Sequence, residues 1–160
     1  MEQPTETRSA ISMQTDIGKD TFRFWFPWRV RYRDCDKQGV VYFAVYLEYI
    51  EHALMEYFRA LGIDLRRTIE EGSFDWAAVH AEIDWRSPAV FDDELAIGLR
   101  VSRIGRSSFD VEFAVTNAEK NVLHAVGRLV LVCFDVRTRQ ARPVPDFVRQ
   151  AVERFEGWAC

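Results

Sequence analysis

The sequence has little cysteine, no concentrated positive charge and no long apolar run. Its three cysteines, Cys35, Cys133 and Cys160, are an odd number without C-x-x-C spacing. That pattern argues against a disulfide framework and against a zinc site, and it fits a reducing, cytoplasmic setting. The 21 Lys and Arg are dispersed through a chain of formal net charge -4, so no basic field is available to recruit nucleic acid. Nothing approaches the roughly 18 to 20 consecutive apolar residues of a membrane span. Residues 1–21 are polar and lack the apolar segment of a secretory signal, so a disordered tail is expected there.

What the chain does have is a core. With 48% hydrophobic and 14% aromatic residues in 160, it fits one domain, residues 22–160, with a small but real interior. Trp28, Val30 and Tyr32 alternate with Arg29, Arg31 and Arg33, the period of a strand, and Pro27 suggests an edge. After Gly39 the period lengthens: Leu47, Ile50, Leu54, Phe58 and Leu61 predict an amphipathic helix of about five turns, ended by Gly62. Alternation then returns four times, at 77–85, 95–101, 109–115 and 122–134, with short turn-like connectors that favour antiparallel hairpins. A short helix is expected near the end, with Asp146 as its candidate cap. One helix covers only part of such a sheet, so burial against further copies of the chain is expected.

The stretch "RYRDCDKQGVVYFAVY" carries the chemistry. A helix beginning near Tyr42 or Phe43 has no Ser, Thr, Asp or Asn at its start. Its first N–H groups and the positive end of its dipole are then free for a carbonyl oxygen. Asp36 lies one glycine-containing turn upstream. A carboxylate facing a carbonyl held by such donors suits attack on an activated acyl group, and a thioester is a better target than an amide. The plainer reading is that Asp34 and Asp36 bond their own backbone, as Asp often does before Gly, and for Asp34 that structural role is the one expected.

The segment "RYRDCDKQGVVYFAVYLEYIEHALMEYFRALG", with "AEIDWRSPAVFDDEL" and "HAVGRLVLVCFD", resembles the 4-hydroxybenzoyl-CoA thioesterase family of hotdog folds, which includes the YbgC-like acyl-CoA thioesterases. The likeness runs from about Trp28 to Val144. It implies an α+β hotdog fold, in which a five-stranded antiparallel sheet wraps one long central helix and a short C-terminal helix follows. It also implies hydrolysis of acyl-CoA, with a short-chain or aromatic acyl group, by a homo-oligomer built of hotdog dimers, such as a tetramer, without metal or other cofactor. Asp36 matches the family's catalytic carboxylate, and the backbone N–H of Phe43 matches the group that polarises the thioester. Tyr46 matches a recurrent tyrosine. Many YbgC-like members have histidine where this chain has Phe43, and asparagine is common where it has Val45.

Around that centre, Gly39, Tyr42, Val45 and Tyr46 are expected to line the substrate, with Val79, His80 and Ala81 of a neighbouring strand. Glu51 is the reserve carboxylate, since a mid-helix glutamate is catalytic in another hotdog lineage. Arg103, Arg106, Ser107 and Ser108, around a hairpin glycine, are candidates for CoA phosphate. His52 and His124 read as structural, and Cys35 as a small buried hydrophobe. Two other readings keep the fold: a hotdog dehydratase or hydratase, which commonly needs a histidine that the segment 31–43 lacks, and a non-catalytic acyl-binding subunit.

Overall fold

The computed structural model describes residues 19–117 and 119–158. Residues 1–18 of the expected tail, and Cys160, lie outside them. Residues 19–21 belong to a turn in which the Trp25 indole donates to the Lys19 carbonyl at 2.9 Å.

Five long antiparallel strands make one sheet: β1 (Phe24–Arg29), β2 (Trp76–Trp85), β3 (Glu94–Ile104), β4 (Ser108–Asn117) and β5 (Val122–Asp135). Their spatial order is β1-β3-β4-β5-β2, and a two-residue β6 (Gln140–Ala141) pairs with the end of β5. Three helices accompany them, α1 (Val45–Ala60), α2 (Leu65–Glu71) and α3 (Asp146–Glu156). This is the hotdog arrangement, with the helical α2 as an addition to the elements expected.

One face of the sheet is apolar because its strands alternate in phase. Leu95, Ile97, Leu99 and Val101 of β3, Phe109, Val111, Phe113 and Val115 of β4, and Leu129, Leu131 and Cys133 of β5 are all buried in one cluster. Helix α1 packs on that cluster with Tyr46, Tyr49, Ile50, Ala53, Leu54, Tyr57 and Phe58, spaced three and four apart. Each of the larger side chains contributes about 1.5–3 kcal/mol of transfer free energy. The buried stripe is therefore turned from the expected one: Leu47 is exposed, and Tyr49 and Tyr57 lie inside. Both tyrosines tolerate burial because their hydroxyls donate to carboxylates, Tyr49 to Asp34 at 2.7 Å and Tyr57 to Glu156 at 2.6 Å. The helix ends as expected, at Gly62 with φ +83°, where Ile63 N–H reaches back to the Phe58 carbonyl at 3.1 Å.

Two other boundaries differ from expectation. The first strand stops at Arg29, and the alternating arginines run into a 3-10 turn, Tyr32–Asp34. Its cause is the Asp34 carboxylate, which accepts the Arg31 N–H at 3.0 Å and closes the turn. Asp146 is the first residue of α3 and makes no side-chain cap bond; as a first-turn acid it faces the positive end of the dipole instead.

Gly127 of β5 is required for close approach. A Cβ there would lie 2.0 Å from the Glu82 carbonyl oxygen of β2 and 2.5 Å from Cζ of Phe113. Since one neighbour is backbone, relief means displacing the edge strand. Gly127→Ala is expected to cost about 3 kcal/mol by overpacking, a fall of about 6–12 °C in Tm for a chain of this size, measurable by thermal unfolding.

Candidate active site

Residues 35–41 fold into a small loop closed by a bridge between Cys35 and Val41. Its tip is a turn in which Gly39 N–H donates to the Asp36 carbonyl at 3.0 Å and Asp36 N–H to the Val40 carbonyl at 2.9 Å. Gly39 has φ +78°, a conformation that a side chain disfavours. Asp36 is half-buried there. One carboxyl oxygen accepts the Gln38 N–H at 2.8 Å, so Asp36 does bond its own turn, and its second oxygen has no partner among the described residues.

The loop is clamped on both sides. Val41 N–H donates to the Ala89 carbonyl at 2.8 Å, and Val40 bridges to Val90. The segment 89–93 is itself fixed by Asp93, whose buried carboxylate accepts the Val90 N–H at 2.9 Å and pairs with Lys120. Burial alone would raise the Asp93 pKa, but Lys120 and the Val90 N–H outweigh it and hold the group below its usual range.

Asp34 supplies the second anchor. It is 2% exposed and accepts the Tyr49 hydroxyl of α1, the Arg31 N–H and the Arg31 guanidinium, the last at 2.9 Å. Arg31 in turn lies 5.1 Å over the Trp28 ring. Burial pushes the Asp34 pKa up, yet the bonds from Arg31 and Tyr49 prevail and the net shift is downward. Asp34 is thus structural, as expected, and it ties the Asp36 turn to the central helix.

Helix α1 starts at Val45 behind Ala44, later than expected, and without a side-chain cap. Tyr42 N–H is not free, because it donates to the Asp34 carbonyl at 2.9 Å. The N–H groups of Phe43 and Ala44 have no acceptor among the described residues. The free donors the sequence predicts therefore exist, in the turn just before the helix rather than in its first residues. Carboxylate and donors sit on one turn-to-helix segment, the arrangement that polarises an acyl carbonyl beside a carboxylate.

Other expected residues do not join them. Tyr46 is 2% exposed and faces the core, its hydroxyl accepting the Ala89 N–H at 3.4 Å; burial raises its pKa, and it bonds the 89–93 segment. Val45 packs against the same core. Glu51 is exposed, about 9 Å along the helix axis from Val45. Val79, His80 and Ala81 are exposed on β2, four or more residues up the strand from its Trp85 end. His80 pairs there with Glu82 at 2.9 Å, and Val79 forms a bulge. Arg103, Arg106, Ser107 and Ser108 surround the β3–β4 hairpin. The Asp36 turn is bonded to residues 89–90, just before the opposite end of β3, about 35 Å away by strand length. Within one chain these groups do not reach a thioester at Asp36.

His52 is exposed beside Phe26 and Trp28, while His124 is buried with one ring nitrogen 3.0 Å from the Ser87 carbonyl. The Cys35 thiol is pushed up by burial first and then by Asp34 and Asp36, which disfavours a thiolate. Among the described residues no three His, Cys, Asp or Glu are grouped to hold a metal ion. No helix among them is long and apolar enough to cross a membrane.

Sequence reasoning named Tyr42 and Phe43 but missed the third aromatic residue at the turn, Trp85. The Phe43 ring meets that of Trp85, at the end of β2, with centroids 5.9 Å apart, and that of Tyr42 at 4.7 Å. The alternation placed Trp85 on a strand, but only the pairing of β2 with β5 brings that strand end to the turn.

The chain is 38% identical over 133 residues to the acyl-CoA thioesterase YbgC of Haemophilus influenzae, covering 83% of this chain and 96% of that protein. It is 35% identical over 130 residues to the 1,4-dihydroxy-2-naphthoyl-CoA hydrolase of Synechococcus elongatus, covering 81% and 89%. A thioesterase of Thermus thermophilus, solved in complex with coenzyme A and zinc, superposes with a TM-score of 0.74 at 32% identity, covering 87% of this chain and 98% of that one. Residues 30–152 match the model of the thioesterase-like superfamily. That match spans most of the chain, and the chain is a member of the thioesterase-like superfamily.

Proposed function

We propose that this protein hydrolyses acyl-CoA thioesters, with short-chain or aromatic acyl groups, to the free acid and CoA. The observation that carries the reading is the Asp36 carboxylate on a clamped turn that leads directly to the unpartnered N–H groups of Phe43 and Ala44. Those donors polarise the carbonyl, and Asp36 attacks it or activates the water that does. Water's oxygen goes to the acyl carbon, the C–S bond breaks, and the thiolate takes up a proton. The similarity to proteins named as CoA hydrolases and thioesterases supports this reading.

The proposal includes a homo-oligomer in the cytoplasm. Strand β2 is a sheet edge with Val79 61% exposed, an edge that a second copy would cover. Because the Arg103–Ser108 hairpin lies far from its own Asp36, it would meet the CoA phosphates only from another copy. The test is release of free thiol from a panel of aryl and aliphatic acyl-CoAs. Turnover well above the spontaneous rate is expected, and binding without turnover would instead favour the acyl-binding alternative.

A further inference from the structure

Three large aromatic side chains stand half-exposed beside the acyl site: Tyr42 at 45%, Phe43 at 58% and Trp85 at 50%. They come from two elements, the catalytic turn and the last residue of β2, yet they form a continuous group. The Phe43 and Trp85 rings meet at 88°, and Tyr42 leans on Phe43 at 53°. Tyr42 and Phe43 flank the peptide whose N–H is the carbonyl donor, so whatever is attached to that carbonyl emerges beside their rings. Contiguous exposed apolar surface of this kind marks a place of contact.

We infer that Trp85, with Phe43, is a specificity-determining residue that receives the acyl group and selects planar aromatic acyl groups over saturated chains. The inference rests on the proposed acyl-CoA hydrolysis and adds to it the residue that reads the acyl portion. The geometry is selective for a physical reason. Two rings at a right angle form a corner in which a flat aryl group stacks on one and meets the other edge-on, and both arrangements are favourable for aromatic pairs beyond area burial. A saturated chain in the same corner gains only the area.

The test compares wild type, Trp85→Leu and Trp85→Phe. Leucine keeps apolar bulk and removes the ring; phenylalanine restores a ring. Two readouts are taken, kcat/KM for benzoyl-CoA and hexanoyl-CoA, and calorimetric affinity for the non-hydrolysable thioethers S-phenacyl-CoA and S-hexyl-CoA. Trp85→Leu is expected to lower kcat/KM for benzoyl-CoA and affinity for S-phenacyl-CoA by about three- to tenfold. The hexanoyl and hexyl compounds should change less than about twofold, and Trp85→Phe should recover most of the loss. Equal losses on both acyl classes, or a change of oligomeric state on gel filtration with no change in preference, would overturn the inference and make Trp85 a packing or subunit-contact residue. Aryl-selective binding that Trp85→Leu abolishes, in a protein without turnover, would sink the hydrolase reading while leaving this one standing.

Discussion

Asp36→Asn is expected to lower kcat for acyl-CoA hydrolysis by about a thousandfold, within the range that removal of a positioned acid–base group usually costs, or about 4 kcal/mol of transition-state stabilisation. The substitution is close to isosteric. Its amide oxygen can still accept the Gln38 N–H that fixes the turn, and the backbone bonds to Gly39 and Val40 do not involve the side chain. Tm should therefore move by no more than a degree or two, since the change falls among surface substitutions of about 0.5 kcal/mol. An amide neither attacks the acyl carbon nor accepts a proton from water, so the loss is the same for direct and water-mediated attack. Steady-state thiol release with thermal unfolding of the same samples makes the measurement. Turnover within tenfold of wild type in a folded variant would move the chemistry away from Asp36. Glu51 would be a poor heir, exposed and well along the helix from the donors.

The second large effect is on stability. Asp34→Ala strips a buried carboxylate from the Tyr49 hydroxyl, which is itself fully buried, and from the N–H and guanidinium of Arg31. The hydroxyl is left without an acceptor. Arg31 is partly exposed and regains water, so the penalty is smaller than for a pair buried on both sides. A cost of about 3 kcal/mol follows from a lost charged hydrogen-bond set and one orphaned buried donor, a fall of about 6–12 °C in Tm. The effect also has a pH signature. The folded-state pKa of Asp34 is depressed, so its contribution is fully present above the unfolded value near ~3.9 and disappears as pH falls through the folded value. The gap between wild type and Asp34→Ala should accordingly be widest at neutral pH and narrow below about pH 4. Urea unfolding at pH 7 and pH 3 reads it directly. A gap that widens on acidification would mean that Asp34 is not held ionised by Arg31 and Tyr49.

Much of the frame is legible because its residues declare a period. Strands β3 and β4 alternate through 95–101 and 109–115, and the observed faces are the ones the pattern predicts. Helix α1 is legible too, with Ile50, Leu54 and Phe58 of the predicted stripe buried, but the two tyrosines that widen its buried face are not. Tyr49 and Tyr57 are polar enough to pass for surface residues until their acceptors, Asp34 and Glu156, are known to lie 15 and 99 residues away. Helix α2 had a usable signal: Asp64 caps it by accepting the Arg67 N–H at 3.1 Å, and Gly72 follows its last turn. The shift of the first strand was not usable, since it depends on Asp34 closing back on Arg31.

The site divides in the same way. The Asp36–Gly39 turn, the uncapped start of the helix and the thioesterase resemblance follow from contiguous residues, because a turn and a helix end are decided by neighbours along the chain. That Tyr46 bonds the 89–93 segment, that Trp85 rather than Val79 or His80 meets the turn, and that the Arg103–Ser108 hairpin lies at the far end of β3 depend on strand register and sheet order. Local hydrogen bonding is encoded within a few residues. Which distant segments become neighbours depends on how a whole sheet closes over one helix, and no short stretch carries that information.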